Sequence, residues 1–178
     1  MKTFVTSDLH FEHANIFKFC PATRARYKDV DTMREMMIEE WNQQVSPDDK
    51  TFILGDIAFC NAETASSIVN RLNGKKILIE GNHDRKLLTT SQFRRCFDSI
   101  HSYLEIKVNN TDIIMFHYPI MEWNKMYRGA VHFYGHLHGK PSHIEQFRAR
   151  DVGMDAQNKV VVEINELIED ALKGSIRQ

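Results

Sequence analysis

Five short runs of apolar, β-branched and aromatic residues each lead directly into residues of the types that bind metal ions. Their length and composition predict buried β-strands. Ligands of open α/β sheets lie beyond the carboxyl ends of the strands, so polar residues placed there converge on one edge. The chain is therefore constrained to a sheet fold in which the strand ends form one site. The runs cover residues 4–6, 51–54, 76–79, 112–116 and 131–134.

The segments that follow these runs carry carboxylate, imidazole and carboxamide side chains, and they include five of the nine histidines. This mixed set of donors suits two borderline divalent cations such as Mn²⁺, Fe²⁺ or Zn²⁺. Two such ions about 3.5–4 Å apart can clamp the attacking and the leaving oxygen of a phosphoester displacement. The segments are Asp8-Leu9-His10, Gly55-Asp56, Gly81-Asn82-His83-Asp84, His117 and Gly135-His136-Leu137-His138.

The composition of the 178 residues, 42% hydrophobic and 26% charged, is that of an ordinary soluble protein, and we expect one domain over residues 1–178. The net charge of −1 does not resemble that of a dedicated nucleic-acid binder, although it does not exclude a local basic patch. Three widely spaced cysteines favour a reduced intracellular compartment. With neither a signal peptide nor a membrane-spanning run in the sequence, we expect a cytoplasmic protein without a membrane partner.

Helical spacing of apolar residues predicts three helices outside these strands. The first follows a capping box formed by Thr32 and Glu35 and extends to Val45. The second passes through residues 65–72 and the third through residues 167–172. Each presents one apolar stripe, so each is expected to pack against a sheet.

The second half of the chain is predicted to be mostly β-structure. Residues 104–108 and 113–116, joined through residues 109–111, predict a hairpin, and residues 160–164 predict a late strand. The order of elements is β-α-β-α-β followed by strands. It predicts an α/β fold with two sheets packed face to face and helices outside.

The spacing within the segments suggests how their side chains meet. Asp8 and His10 are expected to share one strand face, because side-chain direction repeats every two residues, and both reach one ion. His136 and His138 follow the same rule unless the glycine before them turns them toward two ions. Asp56, at an abrupt strand-to-loop turn, is the natural bridging carboxylate.

Each segment alone has an ordinary structural explanation. An isolated Asp-x-His is common on solvated loops, Gly-Asp is a turn, and a single His117 is more often structural. The Gly-Asn-His-Asp and Gly-His-Leu-His segments are more specific, and Asn82 adds a neutral oxygen that keeps an ion electrophilic. A structural zinc site fits poorly because the set contains no cysteine. Five segments in order, each after a strand, favour one functional site.

The pattern resembles that of the calcineurin-like metallophosphoesterase superfamily, and its five motifs cover most of the chain. Residues 6–16, His117-Tyr118-Pro119 and Val152-Gly153-Met154-Asp155 are similar to small, uncapped bacterial and phage phosphoesterases. The resemblance implies a four-layer α/β/β/α sandwich of two mixed sheets flanked by helices. It also implies two divalent ions, with Mn²⁺ favoured over Fe²⁺, Zn²⁺ or Ni²⁺. The extended Gly-Asp-x-x-x-Arg pattern is missing after Asp56, which argues against a protein phosphatase.

The resemblance further implies roles for individual residues. His83 lies beside the scissile phosphate, where it stabilises charge or protonates the leaving oxygen, and Asp84 is its orienting partner. The nucleophile is a water or hydroxide on the metals, with a pKa lowered from about 15.7 toward neutral. Asp56 is shared between two groups of ligands, which are Asp8, His10, Asp56 and His138 for the first ion and Asp56, Asn82, His117 and His136 for the second.

Together these implications predict a two-metal phosphodiesterase that acts on nucleotide-type or related diesters. Hydrolysis of phosphomonoesters, or of the pyrophosphate links of dinucleoside polyphosphates, is the alternative within enzymes. A non-catalytic module that keeps the fold is disfavoured, because every ligand position is present. His13, Arg24 and Tyr118 are the candidates for substrate binding. The natural substrate, the oligomeric state and nucleic-acid binding are left open, as is a phage origin, which would place the protein in the host cytoplasm.

Overall fold

The computed structural model describes residues 1–177 and contains two mixed β-sheets. The strands are β1 (Thr3–Thr6), β2 (Lys50–Ile53), β3 (Lys75–Ile79), β4 (Ser99–His101), β5 (Leu104–Val108), β6 (Thr111–Met115), β7 (Val131–Tyr134), β8 (Ala149–Asp151) and β9 (Val162–Glu163). The first sheet has the order β4-β3-β2-β1-β9, in which β1 to β4 are parallel and β9 is antiparallel. The second has the order β5-β6-β7-β8, with only the β5–β6 pair antiparallel.

The predicted hairpin is confirmed as β5 and β6. Val108 pairs with Thr111, so the connecting loop is Asn109-Asn110, one residue shorter than expected. Both asparagines have positive φ, 46° and 65°, which matches the turn type that suits the twist of a two-residue hairpin. The predicted strand over residues 160–164 is shorter in the structure, where only Val162–Glu163 pairs with β1.

Alternating residues of the strands divide the apolar core into separate layers. Phe4, Ile53 and Leu78 belong to a cluster on the outer face of the first sheet. Their neighbours along the strands belong to a second cluster that fills the space between the two sheets. This period of two is the pleat of a β-sheet, so both faces of the first sheet are buried. The second cluster includes Val5, Phe52, Leu54, Ile79, Ile113, Met115, Val131 and Phe133.

The helices flank the sheets unevenly. They are α1 (Ile16–Phe19), α2 (Pro21–Arg24), α3 (Val30–Gln44), α4 (Ala62–Asn70), α5 (Ser91–Arg94), α6 (Met154–Gln157) and α7 (Ile164–Ala171). α3 and α4 cover the outer face of the first sheet, whereas α7 packs against the cluster between the sheets. Two 3₁₀ segments, Met126–Arg128 and His143–Gln146, contribute to the cluster on the outer face of the second sheet. Among residues 1–177, no helix is long and apolar enough to cross a bilayer.

The expected α/β class with two mixed sheets flanked by helices is therefore confirmed. The outermost layer differs from the α/β/β/α expectation, because short 3₁₀ turns and loops stand where a helical fourth layer was predicted. Trp123, Met126 and Ile144 pack there against Ile114 and Tyr134. Short turns can bury these side chains because the patch is small.

The capping box predicted at Thr32 and Glu35 is wrong. α3 begins at Val30, and the side chain of Asp29 accepts a hydrogen bond of 2.7 Å from the Thr32 backbone N–H. Thr32 is therefore already inside the helix. The sequence pattern misplaced the cap because Asp29, Asp31 and Thr32 are all residue types that cap helices, and only the backbone geometry separates them.

His132 supports the outer layer of the second sheet as a neutral imidazole. Its Nδ1 lies 3.1 Å from the Ile114 carbonyl, and its Nε2 accepts from the Ile120 N–H at 3.3 Å. Burial lowers the pKa of His132 to about 4. The packing role expected for this residue is consistent with these contacts.

The cap assignment can be tested by comparing Asp29→Ala with Thr32→Ala. Asp29→Ala should lower the midpoint of urea denaturation more than Thr32→Ala, because only the first variant removes the side chain that accepts the N-terminal hydrogen bond of α3. A larger shift in Thr32→Ala would contradict the cap seen here.

His132 should also make stability depend on pH. Its pKa is lower in the folded than in the unfolded protein, so its contribution is complete above about pH 6.5 and is lost as the pH falls toward 4. Within this window His132→Gln should reduce the slope of unfolding free energy by about 1 kcal/mol per pH unit. Urea denaturation at pH 5 and 6 measures the slope. His143→Gln, at an exposed histidine, is the control, and an unchanged slope in His132→Gln would refute the assignment.

Candidate metal centre

The five polar segments meet at the carboxyl ends of strands from both sheets. β1, β2 and β3 lead to Asp8, Asp56 and Asn82, whereas β6 and β7 lead to His117 and His136. Hydrogen bonds join the two sheets at this edge. The His136 backbone N–H donates to Asp8 Oδ2 at 2.9 Å, and His117 Nδ1 lies 2.6 Å from the Leu54 carbonyl.

The side chains form two groups that could each hold a metal ion. In each group, the potential ligand atoms lie within 4.8 Å of one another. Asp56 lies between the groups, since its Oδ2 is 3.8 Å from His10 Nε2 and 3.6 Å from His117 Nε2. His136 and His138 thus turn toward different groups, as the sequence allowed for a twist at Gly135. The groups are Asp8, His10 and His138, and Asp56, His117 and His136.

Two buried polar atoms in the first group have no hydrogen-bond partner. They are Asp8 Oδ1 and His10 Nε2, which lie 3.8 Å apart. An unsatisfied buried polar atom costs about 1–3 kcal/mol, so such pairs are uncommon unless a ligand completes them. A divalent cation between the two atoms would satisfy both. The donors present therefore fit a metal ion.

Three histidines present Nε2 to the carboxylates while Nδ1 contacts an outer partner. His117 Nδ1 contacts the Leu54 carbonyl, and His138 Nδ1 lies 2.8 Å from Asp155 Oδ2. His10 Nδ1 lies 3.1 Å from His13 Nδ1. When an outer group accepts a hydrogen bond from Nδ1–H, the lone pair stays on Nε2. This is the tautomer that ligates metals through Nε2.

The protonation of these groups also suits cation binding. Burial lowers the pKa of His10 and His136, so both imidazoles are neutral near pH 7. Burial would raise the pKa of Asp8, but the adjacent imidazoles outweigh it and the pKa falls. Burial would lower the pKa of His138, yet the bond to Asp155 prevails and raises it. Metal ligation needs ionised carboxylates and basic imidazoles.

The expectation that Asp8 and His10 share a strand face is wrong. β1 ends at Thr6, and both residues follow it with left-handed backbone, at φ of 56° and 51°. Asp56, His136 and His138 have the same conformation, with φ from 52° to 71°. Such backbone costs non-glycine residues about 1–3 kcal/mol each and clusters at functional sites. The side chains converge because of these turns, not because of strand alternation.

Glycines let the turns approach closely. A Cβ on Gly81 would lie 2.5 Å from the Asp56 backbone nitrogen, and one on Gly135 would lie 2.4 Å from Asp8 Oδ2. Gly55 has a φ of 91°, and a Cβ there would lie 2.5 Å from Gly81 Cα. The glycines before the polar residues are therefore needed for packing between strand ends.

His83 lies at the mouth of the centre. Its Nε2 is 3.9 Å from Asp56 Oδ2, and its side chain is 45% exposed, whereas those of His10 and His117 are almost fully buried. Its backbone N–H donates to Asp56 Oδ1 at 2.9 Å. The imidazole therefore adjoins the carboxylate shared by the two groups and also faces solvent.

Asp84 does not orient His83 as expected. Its buried carboxylate accepts bonds of 2.9–3.0 Å from the backbone N–H groups of Asp56, Ile57 and Gly81. Burial raises the pKa of this carboxyl, and the backbone donors offset part of the rise. Asp84 thus fastens the turn after β2 to the turn after β3, and its described contacts are with backbone instead of the His83 ring.

Arg24 does not face a substrate, which corrects the candidate role given to it. Its side chain is fully buried and forms a bidentate pair with Asp155, at 2.7 and 2.9 Å. It also donates to the carbonyls of Asp8 and Leu9. Because Asp155 also bonds His138, Arg24 helps to position two members of the first group, Asp8 and His138. The basic loop composition did not reveal this burial.

The cluster of Cys20, His138 and Asp155 also has metal-ligating residue types within range. Asp155 already bonds His138 and pairs with Arg24, and these two partners keep the pKa of this carboxyl well below its usual range despite burial. Burial raises the pKa of the Cys20 thiol to about 11. The bonds of Asp155 therefore make this cluster a support for His138.

The other two substrate-binding candidates lie on opposite sides of the centre. The His13 ring stacks on Phe59 with a centroid distance of 3.9 Å, and burial lowers the pKa of His13 to about 4. The Tyr118 ring packs edge-on against His117 and His136, at 4.9 and 4.7 Å. Sequence reasoning missed Phe59, for which position three residues after Asp56 was the only available signal.

No protein-family model matches the chain. An uncharacterized protein of Methanocaldococcus jannaschii, MJ1445, is 26% identical over 184 residues, covering 98% of this chain and 94% of that protein. The gene 66 protein of Mycobacterium phage L5 is 27% identical over 193 residues and 89% of each chain.

Among solved structures, the protein of unknown function AQ665 from Aquifex aeolicus superposes with a TM-score of 0.72 and 23% identity. The match covers 94% of this chain and 98% of AQ665, which shows a shared fold. A novel archaeal phosphodiesterase superposes with a TM-score of 0.43 and 17% identity over 76% of this chain and 73% of its own, too low to establish a common fold. The similarities support the fold alone.

Asp155→Asn should weaken the binding of a divalent cation at the first group about 10- to 100-fold, because the amide has no charge and only one acceptor oxygen to serve both Arg24 and His138. Binding at the second group should be unchanged, since the described hydrogen bonds of Asp155 include none to its members. Isothermal titration calorimetry with Mn²⁺ measures both. Asp112→Asn, at a surface ion pair with Lys125, is the matched control. Equal affinities in Asp155→Asn and the control would contradict this support role.

Proposed function

We propose that the protein is a two-metal hydrolase of phosphate esters, and that it acts as a phosphodiesterase on nucleotide-type or related diesters. The observation that carries the proposal is the position of Asp56. One carboxylate oxygen lies 3.6–3.8 Å from a histidine of each candidate metal group, as a bridging ligand requires. Two divalent ions sharing one carboxylate would suit displacement at phosphorus better than a structural role.

The proposed ligands are those that the sequence suggested, with Asp56 shared. Asn82 completes the second group, since its Oδ1 lies 2.9 Å from His117 Nε2. When bound, two divalent ions neutralise the phosphate charge and lower the pKa of a water molecule. Mn²⁺ is the proposed ion, with Fe²⁺, Zn²⁺ or Ni²⁺ as alternatives, because imidazole and carboxylate donors are mixed.

His83 is the proposed proton donor. It lies beside Asp56 and faces solvent, so its Nε2 would be within reach of an ester oxygen of a phosphate bound to the ions that Asp56 would share. Imidazole can donate a hydrogen bond to the developing charge and then a proton to the leaving oxygen. Asp84 acts through the backbone, keeping Asp56 and Gly81 in register so that His83 stays aimed at this position.

Cavities on both sides of the centre favour a diester over a monoester. One of about 570 Å³ reaches from His10 and His83 to Phe19, and another of about 180 Å³ adjoins Asn82 and Tyr118. A phosphodiester carries two organic groups, and each would have a recess. A monoester or a dinucleoside polyphosphate would use the same ions, so the two alternatives are separated by relative rates.

The remaining features of the proposal concern the context of the enzyme. We place the activity in a single domain over residues 1–178 and in the cytoplasm, where the three cysteines, which are free thiols, stay reduced. The partner is a phosphate ester, including nucleotides, and no membrane is required.

The proposal predicts Mn²⁺-dependent hydrolysis of bis(p-nitrophenyl) phosphate, faster than of p-nitrophenyl phosphate. Chelation should abolish the activity and Mn²⁺ should restore it. Asp56→Asn should remove both activity and bound metal. His83→Ala should lower kcat about 10²- to 10⁴-fold and leave the metal content unchanged, because it removes a proton donor and no ligand. Metal content is measured by mass spectrometry.

His143→Ala, at an exposed histidine of a 3₁₀ segment, is the control and should keep full activity. Loss of metal in His83→Ala would show that this residue is a ligand and refute its proposed role. A faster rate on the monoester would favour the phosphomonoesterase alternative. Metal-loaded protein that hydrolyses no phosphate ester would support the non-catalytic module.

A further inference from the structure

We infer that the larger cavity, here called the aromatic groove, binds a nucleoside of the substrate, with the base against Phe19 and a further anionic group near Lys18 and Lys140. This inference rests on the proposed function, which it deepens by naming the substrate class. The groove has a volume of about 570 Å³ and extends from His83 at the metal centre to Phe19 at the surface.

A continuous row of rings forms one wall of the aromatic groove. The ring of Phe59 lies 4.4 Å from that of His83 and 3.9 Å from that of His13. The His13 ring is in turn 6.0 Å from that of Phe19. A planar substrate group therefore meets π-faces or ring edges from the metal centre outward. Such surfaces bind nucleobases by stacking, with little dependence on the base.

Phe19 is placed for contact with a ligand. Its side chain is 67% exposed at the end of α1, although a phenyl ring gains from burial. A second cavity of about 460 Å³ borders the same ring together with His138 and Lys140. The ring is thus a ridge between two recesses that both begin at the metal centre. A single exposed ring is ordinary, but here it continues the row that starts at His83.

The charge of the aromatic groove fits an anion. In the described part of the chain, its fully charged lining residues are Lys18 and Lys140, and no carboxylate lines it. Both lysines are exposed near Phe19, so their side chains can move to meet a ligand. A nucleotide supplies the matching pair of features, a flat base and phosphate charge. An aliphatic or uncharged ester group supplies neither.

The order of residues along the aromatic groove also matches a nucleotide. The leaving oxygen must lie near His83, because a proton donor works within hydrogen-bond reach. The ring centroid of His13 lies 5.2 Å from that of His10, and the ring centroid of Phe19 lies 6.0 Å from that of His13. This is the scale of a nucleoside between its phosphate and its base, so the sugar would lie over Phe59 and the base would reach Phe19.

Binding of product-like probes to the Mn²⁺-loaded protein tests the inference. Adenosine 5′-monophosphate should bind about tenfold more tightly than ribose 5-phosphate, which has the same phosphate and sugar but no base. Phe19→Ala should abolish this difference, and Phe19→Tyr should keep it. Lys140→Ala should weaken adenosine 3′,5′-bisphosphate, whose second phosphate is carried by the ribose away from the metal centre, severalfold more than the monophosphate. Calorimetry at fixed free Mn²⁺ gives the dissociation constants. Met121→Ala and Lys173→Ala, at other exposed side chains, are the controls.

Equal affinities of the wild-type protein for the two monophosphates would overturn the inference, and so would a Phe19→Ala variant that keeps the preference for the base. Diester turnover is measured on the same preparations. Turnover without a base preference refutes the inference and leaves the proposed function standing. A Phe19-dependent base preference without diester turnover supports nucleotide binding in the groove and refutes diester hydrolysis as the function.

Discussion

Backbone N–H groups that hold buried carboxylates are the interaction on which the rest of the site depends. Asp8 accepts from the backbone of His136, Asp56 from that of His83, and Asp84 from three N–H groups of two turns. Apart from the bond from Gly81 to Asp84, which lies within the turn after β3, these bonds link the end of one strand to that of another. A buried carboxylate is costly without such donors, and bonds to a charged acceptor are stronger than neutral ones. The carboxylates therefore set the spacing of the turns that carry them.

These turns also account for the backbone conformation of the candidate metal ligands. Five candidate ligands have left-handed backbone, which glycine neighbours make room for and which the carboxylate bonds hold in place. Three candidate ligands, His10, His117 and His138, contact an outer partner through Nδ1 and present Nε2 to the centre. The strain and the orphaned atoms Asp8 Oδ1 and His10 Nε2 have one physical explanation in common. The protein holds donors apart at a spacing that a cation would complete.

Much of the fold could be predicted from the sequence because its signals are local. Continuous apolar, β-branched and aromatic runs predicted the central strands, and the polar residue after each run predicted which edge carries the site. β4 and β8 were missed, since three-residue strands leave no pattern. The cap of α3 was misplaced because adjacent residues share the same capping chemistry.

The candidate site, like the fold, was predicted from the sequence only in part. The residues of the five segments do come together, but the reason given for Asp8 and His10 was wrong, as strand alternation ends before them. The roles of Arg24 and Asp84 could not be predicted, because each depends on a partner distant in sequence or on backbone groups that no side-chain pattern records. Phe59 gave no signal beyond its position three residues after Asp56, because its importance comes from stacking with His13 and His83 in space.

The buried Arg24 connects the first candidate metal group to the segment that carries Phe19. It lies in α2, directly after the segment that carries Phe19, and it grips Asp155 and the carbonyl of Asp8. A ligand that orders His138 therefore also restrains the segment that carries Phe19 at the edge of the aromatic groove. By thermodynamic reciprocity, an ion that restrained this segment would favour the ligand bound there, and that ligand would favour the ion by the same free energy. The proposed ions and the proposed nucleotide would then strengthen each other's binding through Arg24.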